Sequence, residues 1–263
     1  MSTRIMSILN VTPDSFFDGG RYSQLQKAVE RAVLMESEGA DYIDVGGEST
    51  RPGSEPVSAE EEAKRVIPVI KSLAKEVSIP ISIDSYKFET IEKAVDAGAS
   101  FVNDITGLKD ERIRRIVAEN DLEACIMHML GTPKTMQQKP NYTDVVKEVG
   151  EFLKERRDVA LEEGIKKNKL YLDPGIGFGK TTEQNWKLLN SLKEFKKIGK
   201  VLIGASRKSF IGKFFGSEEK PLPVEERLQG SLEIAKLCIK QNVDILRVHD
   251  TRETRLFSNC VKV

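Results

Sequence analysis

Residues 23–47 read SQLQKAVERAVLMESEGADYIDVGG, and the fold turns on this stretch. Leu25, Ala28, Val29, Ala32 and Val33 recur at helical spacing and fall on one stripe. Ser23 with Gln26 has the form of a capping box, which predicts the helix start beside Ser23. Gly39 stands where a left-handed residue ends a helix. Asp41-Tyr42-Ile43-Asp44-Val45-Gly46-Gly47 follows as a short strand. One helix, one glycine stop and one strand make the unit.

The unit recurs along the chain. Ser58 with Glu61 opens a helix to about Val77, before a strand at 80–84. A third helix ends at Gly98 before 101–105, and a fourth leads into 123–128. A long helix at 142–163 stops at Gly164 before 170–173, and another stops at Gly199 before 201–204. A helix at about 224–241 precedes 245–249, leaving only a short tail after Asp250 for a final helix. With 5–11 at the front the predicted strands number eight. No composition shift or linker divides them, so the pattern predicts an α/β fold, a single (β/α)8 TIM barrel over 1–263, with long βα loops after strands 1 and 2. A doubly wound open sheet is the competing arrangement. Its nucleotide-binding form places a Gly-rich turn after the first strand, where this chain has Asn10-Val11-Thr12-Pro13.

Lys and Arg balance Asp and Glu, 41 against 41, and no basic block appears, which argues against nucleic acid as a partner. The longest apolar runs, such as 66–70, fall far short of the ~20 residues that span a bilayer. The start is broken by Ser7, Asn10 and Pro13 and makes a poor signal peptide, so a cytoplasmic location is expected. Cys125, Cys238 and Cys260 are widely spaced without a CxxC and read as reduced packing thiols. His128 and His249 are too few for a metal cage built by protein alone.

In a barrel, chemistry collects at the C-terminal strand ends. Here those ends are polar: Asn10, Asp44, Asp84, Asn103, His128, Asp173, Ser206-Arg207-Lys208, and Arg247 with His249. Arg247 and His249 leave the same face of their strand, and together with Asn10 they form a candidate anion or metal–phosphate site. Arg247 could instead be satisfied by barrel carboxylates such as Asp173. Asp84, Asn103 and Asp173 supply acceptors and an amide, the inventory for reading the edge of a planar nitrogen heterocycle, and Lys208 completes the rim. A glycosidase-like acid/base pair is the rival use of the two carboxylates. The run 173–181 is no nucleotide loop: Pro174 stands where the Walker pattern needs glycine, and Lys180 fills the last glycine slot of GxGxxG. It reads as a βα loop carrying Phe178 over the pocket.

The strings Ile8-Leu9-Asn10-Val11-Thr12-Pro13-Asp14-Ser15-Phe16, Gly47-Glu48-Ser49-Thr50-Arg51-Pro52-Gly53, Met127-His128-Met129, Asp173-Pro174-Gly175-Ile176-Gly177-Phe178, Ser206-Arg207-Lys208-Ser209-Phe210 and Arg247-Val248-His249-Asp250 resemble the dihydropteroate synthase family, in family order and across almost the whole chain. The resemblance implies a transferase of folate biosynthesis that joins 6-hydroxymethyl-7,8-dihydropterin diphosphate to p-aminobenzoate. It implies pterin binding by Asp84, Asn103, Asp173 and Lys208, with Arg247 on one ring face and Ile105, Met127 and Phe178 as apolar wall. Asn10, Arg51, Arg247 and His249 would hold the diphosphate, with Asn10 as the protein ligand of Mg²⁺. Phe16, Thr50, Arg51, Pro52 and Ser209 would shape the aminobenzoate pocket, and Asp18 would arrive on the first loop. Aminobenzoate is expected to bind only after the pterin, its diphosphate and Mg²⁺. A pterin-binding methyltransferase and a non-catalytic pterin-binding paralogue are the alternatives. The apolar width of 228–239 predicts a homodimer through the late part of the helical ring.

Overall fold

The computed structural model describes residues 3–12, 21–49, 54–132, 134–136 and 140–261. Eight parallel strands close on themselves in chain order: β1 (Arg4–Asn10), β2 (Tyr42–Gly46), β3 (Ile81–Asp84), β4 (Phe101–Asp104), β5 (Glu123–Met127), β6 (Leu170–Asp173), β7 (Lys200–Ile203) and β8 (Ile245–Val248). β8 pairs back onto β1, with Arg4 opposite Ile245 and Met6 opposite Arg247, which excludes an open sheet. Around the barrel run α1 (Arg21–Ser37), α2 (Ala59–Glu76), α3 (Phe88–Asp96), α4 (Glu111–Glu119), α5 (Val145–Glu162), α6 (Thr182–Asn190), α7 (Leu192–Ile198), α8 (Ser209–Phe215), α9 (Leu228–Lys240) and α10 (Thr251–Val261). This is the (β/α)8 barrel that the repeated unit predicts.

The punctuation read from sequence holds at Ser58, Gly39, Gly98 and Gly164, and the structure adds caps at Asp110, Asp144 and Thr181. Ser58, Asp110, Asp144 and Thr181 accept backbone N–H groups at the starts of α2, α4, α5 and α6. Gly39, Gly98 and Gly164 take φ of +96°, +115° and +94° just after the ends of α1, α3 and α5, where a β-carbon would be strained. Three details differ. α1 spans Arg21–Ser37, so Ser23 falls inside its first turn rather than before it. The helix expected to stop at Gly199 is two, broken at Ser191. The chain after Asp250 is long enough for α10, a full helix against α9.

Strand alternation sorts side chains into two cores. Ile5, Leu9, Ile43, Val45, Ile83, Val102, Ile126, Leu172 and Val201 face out and pack under the helices. Met6, Tyr42, Phe101, Cys125, Tyr171, Leu202 and Ile245 face in and form a separate buried cluster. Below that cluster the floor is polar: Arg4 donates to the phenol oxygens of Tyr42 and Tyr171, which in turn donate to Glu123 at 2.9 and 2.8 Å. Cys125 and Cys238 are buried as packing thiols, whereas Cys260 is exposed on α10, against the expectation for it. Among the described residues no helix is long and apolar enough to cross a membrane.

Candidate active site

One step of strand alternation above the inner apolar cluster, the inward side chains change character. Tyr42 gives way to Asp44, Phe101 to Asn103, Tyr171 to Asp173, and Ile245 to Arg247, while Met6 is followed by apolar Ile8. The register brings them level: Asp84 sits opposite Asn103, and Met127 opposite Asp173. The same period-two rule that fills the barrel with apolar groups therefore lines its mouth with charged and amide groups.

Arg247 reaches across the mouth. Its guanidinium donates through Nε to Asp44 and through a terminal nitrogen to Asp84, and Asn103 donates to the same Asp44 oxygen at 3.1 Å. The carboxylates that satisfy Arg247 are thus Asp44 and Asp84, not Asp173. Asp44, a strand-end residue to which the resemblance gave no role, is the shared anchor of Arg247 and Asn103. Its other oxygen is buried without a partner among the described residues. Gly46 and Gly204 lie beside this group: a β-carbon there would sit in ordinary contact, 3.5 Å from Asp84 and 3.7 Å from Arg247.

Burial pushes the Asp84 carboxyl up to about 7 against the pull of Arg247, with Asp44 adding to the rise. Asp173 is likewise raised by burial, opposed by Lys208 and by the Gly175 N–H that it accepts at 2.7 Å. Burial pulls the Lys208 amine down to about 8, with Asp173 resisting. Lys208 donates to the Ile176 carbonyl and lies 4.3 Å from the centre of the Phe178 ring, a cation–π contact. Ile105 and Met127 are buried at this end of the barrel. His249 turns Nδ1 to Ser206 Oγ at 3.1 Å, and Asn10 is half-buried at the end of β1. Ser209 is exposed at the start of α8, next to Lys208. The structure so brings Asn10, Asp84, Asn103, Ile105, Met127, Asp173, Phe178, Lys208, Arg247 and His249 to one end of the barrel. Phe16, Asp18, Thr50, Arg51 and Pro52 lie outside the described residues.

Two groups escaped the sequence reading. Lys180 is buried, with its amine 2.9 Å from the Phe178 carbonyl, 3.0 Å from His128 Nδ1 and 3.5 Å from the His128 carbonyl. Burial, with Lys180 adding, pulls the His128 imidazole down to about 3, so the strand-end histidine is a neutral part of the wall. Lys180 looked only like a failed nucleotide-loop lysine; its signal was a single lysine closing a run of three glycines. The second group fixes the root of the loop after β2: Lys87 bridges Glu48 and the buried Glu62, Tyr86 donates to Glu48 at 3.1 Å, and Arg65 donates to the Gly47 carbonyl at 2.9 Å.

Known proteins resemble this chain in sequence and in fold. Residues 6–249 match the model of the pterin binding enzyme family. The dihydropteroate synthase of Escherichia coli strain K12 is 47% identical over 251 residues, 95% of this chain and 87% of that protein. A crystal structure of the Clostridium difficile dihydropteroate synthase with pteroic acid superposes with a TM-score of 0.91 at 44% identity, covering 99% of this chain and 96% of that one. The Xanthomonas albilineans dihydropteroate synthase in complex with 7,8-dihydropteroate gives a TM-score of 0.88 at 38% identity, covering 99% and 93%. With its inward residues turning polar at the mouth of a closed barrel, the chain belongs to the dihydropteroate synthases, within the family of pterin-binding enzymes.

Proposed function

We propose that the polar ring at the barrel mouth holds the pterin of 6-hydroxymethyl-7,8-dihydropterin diphosphate while p-aminobenzoate attacks its methylene carbon, giving 7,8-dihydropteroate and diphosphate. The observation that carries this reading is the set of Asp84, Asn103 and Asp173, inward-facing at the ends of β3, β4 and β6 with Asp84 opposite Asn103, and Lys208 close by at the start of α8. Carboxylates accept the N–H groups of a pterin edge, the Asn103 amide and Lys208 meet its acceptors, and the flat guanidinium of Arg247, tied by two carboxylates, presents a face for the ring.

In the reaction the bond between methylene carbon and diphosphate oxygen breaks, and its electron pair leaves with the diphosphate. The arylamine nitrogen then bonds to the carbon and gives up a proton. The amine is neutral at pH 7 and nucleophilic without a dedicated base. Positive charge at the methylene spreads into the electron-rich ring, so the protein's task is to receive the departing anion and exclude water. Arg247 and His249 would receive the anion, and Phe178, in contact with Lys208, would shield the ring.

Among the described residues no three His, Cys, Asp or Glu side chains gather as a metal cluster. A lone carboxamide, Asn10, instead fits a Mg²⁺ ion that takes its other oxygens from diphosphate and water. Bound there, Mg²⁺ would neutralise charge on the leaving group. Arg51, with Phe16, Thr50, Pro52 and Ser209, is proposed for aminobenzoate and Asp18 for the first loop. A cytoplasmic homodimer is also proposed. The apolar width of α9 is partly taken up within the chain, since Ile234, Ala235 and Cys238 are buried and α10 packs along it. The exposed Phe214 and Phe215 of α8 and the nearby Val224 offer the dimer surface in the same part of the ring, and light scattering reads the mass. Diphosphate release should require pterin diphosphate, aminobenzoate and Mg²⁺ together; release that ignores aminobenzoate would contradict the reading.

A further inference from the structure

Arg207 takes φ of +56°, a left-handed conformation that a side chain with a β-carbon rarely adopts. Strain of this kind persists only where the surroundings over-determine it, and here they do. The Arg207 N–H donates to Ser231 Oγ at 2.9 Å, and its carbonyl accepts from Arg227 at 3.0 Å. Its guanidinium forks onto Asp250, Nε to Oδ2 at 2.8 Å and a terminal nitrogen to Oδ1 at 2.6 Å, and also reaches the Val224 carbonyl at 3.2 Å. The ion pair is bidentate and about three-quarters buried, with side-chain exposures of 25% and 15%, which sets it apart from an ordinary surface pair.

Two successive residues of the loop after β7 thus grip two successive residues of the loop after β8. Ser206 Oγ receives the His249 N–H at 3.3 Å and contacts Nδ1 at 3.1 Å, and Arg207 grips Asp250. The left-handed turn at Arg207 sends its own side chain toward β8 and the next one, Lys208, the opposite way, over Ile176 and Phe178. Lys208 and His249 flank this grip on either side.

We propose that Arg207, through Asp250, is a positioning residue that fixes the spacing between the pterin-holding Lys208 and the diphosphate-facing His249, and so sets how the substrate's ring and leaving group lie relative to each other. The proposal rests on the roles given above to Lys208 and His249. Small misplacements of a reacting bond cost rate steeply even when binding survives. The ion pair therefore matters more to kcat than to folding.

Arg207→Gly removes the fork and relieves the left-handed strain, which keeps the variant folded. It should lower kcat tenfold or more, raise the pterin KM a fewfold, and leave the melting temperature within a few degrees of the parent. Asp250→Asn should behave alike. The double variant should be no more than about twofold worse than either single, because one contact is lost in all three. Arg207→Lys, which keeps one ionic contact, should recover part of kcat. Wild-type kcat in Arg207→Gly, or a double variant showing the product of the single losses, overturns the proposal. Lys208→Ala and His249→Ala run alongside: if both leave kcat and pterin KM untouched, the reading of the site fails and the proposal with it. If both collapse while Arg207→Gly does not, only the positioning role fails.

Discussion

Asp84 and Lys208 bring opposite titrations to one pocket. A pterin edge offers N–H donors, so Asp84 must be ionised to accept them, and with its carboxyl at about 7 in the free protein its protonation opposes binding at lower pH. Lys208, in its proposed role, would act as a cation, and it loses its charge as pH rises through about 8. Pterin affinity should therefore peak between about pH 7 and 8 and fall by up to about tenfold per unit on the acid side, which calorimetry from pH 5.5 to 9 would show. Asp84→Asn should flatten the acid limb. Stability of the free protein follows the other sign. The raised Asp84 pKa contributes stability that is present below its usual 3.8 and lost as pH climbs through about 7. Lys180 is a reverse case: burial holds its amine near 7 rather than 10.5, so the unfolded chain binds the extra proton between those values and stability rises with pH there. Lys180→Met should remove that rise and strand the Phe178 carbonyl and His128 Nδ1. Each orphaned group costs about 1–3 kcal/mol, so urea unfolding should show a loss at pH 7 and pterin affinity should drop with it. Asp84, Asn103, Asp173 and Lys208 were legible in sequence because strand-end position and polarity coincide. Asp44 as the shared anchor of Arg247 and Asn103 was not, because partners across a barrel mouth depend on its curvature and not on spacing along the chain.

The loop after β6 shows how a segment can be written in glycine. Gly175, Gly177 and Gly179 take φ of +69°, +83° and +68°, so the chain folds back on itself between Asp173 and Lys180. A β-carbon on Gly175 would lie 1.8 Å from the His128 carbonyl oxygen, closer than any contact allows. Gly175→Ala should cost about 3 kcal/mol or more, from strain plus overlap, and should weaken pterin binding by shifting Phe178. Equal stability by denaturant titration would show that the loop yields easily. The run matches no nucleotide-loop template, and the tether that Lys180 supplies is tertiary, so no local pattern announces it. Helices were read best where a cap or a glycine stop marks the end, as at Ser58 or Gly164. Ser23 misled because a serine followed by Gln26 also fits inside a first turn.

Across the molecule, eight repeats of one unit close a parallel barrel, and the closure turns scattered strand ends into one pocket. That topology was legible because helix and strand alternate with short glycine-stopped connections. The inner apolar layer and the polar layer above it follow from period-two alternation once the strands are level. The layering also separates jobs: the floor of Arg4, Tyr42, Tyr171 and Glu123 and the apolar cluster above it hold the barrel, while the mouth is left to bind. A substitution of a mouth side chain that does not tether the wall, such as Asp173→Asn, should accordingly change affinity and spare the fold. Titration calorimetry of the pterin diphosphate into the wild type and Asp173→Asn at pH 7.5, with melting curves on both, tests this division directly. Loss of a charged partner in such a site costs ~1.5–3 kcal/mol, so the variant should bind about ten- to a hundredfold more weakly with its melting temperature within a few degrees of the parent. Equal affinity in the two proteins would contradict the placement of the pterin at the barrel mouth.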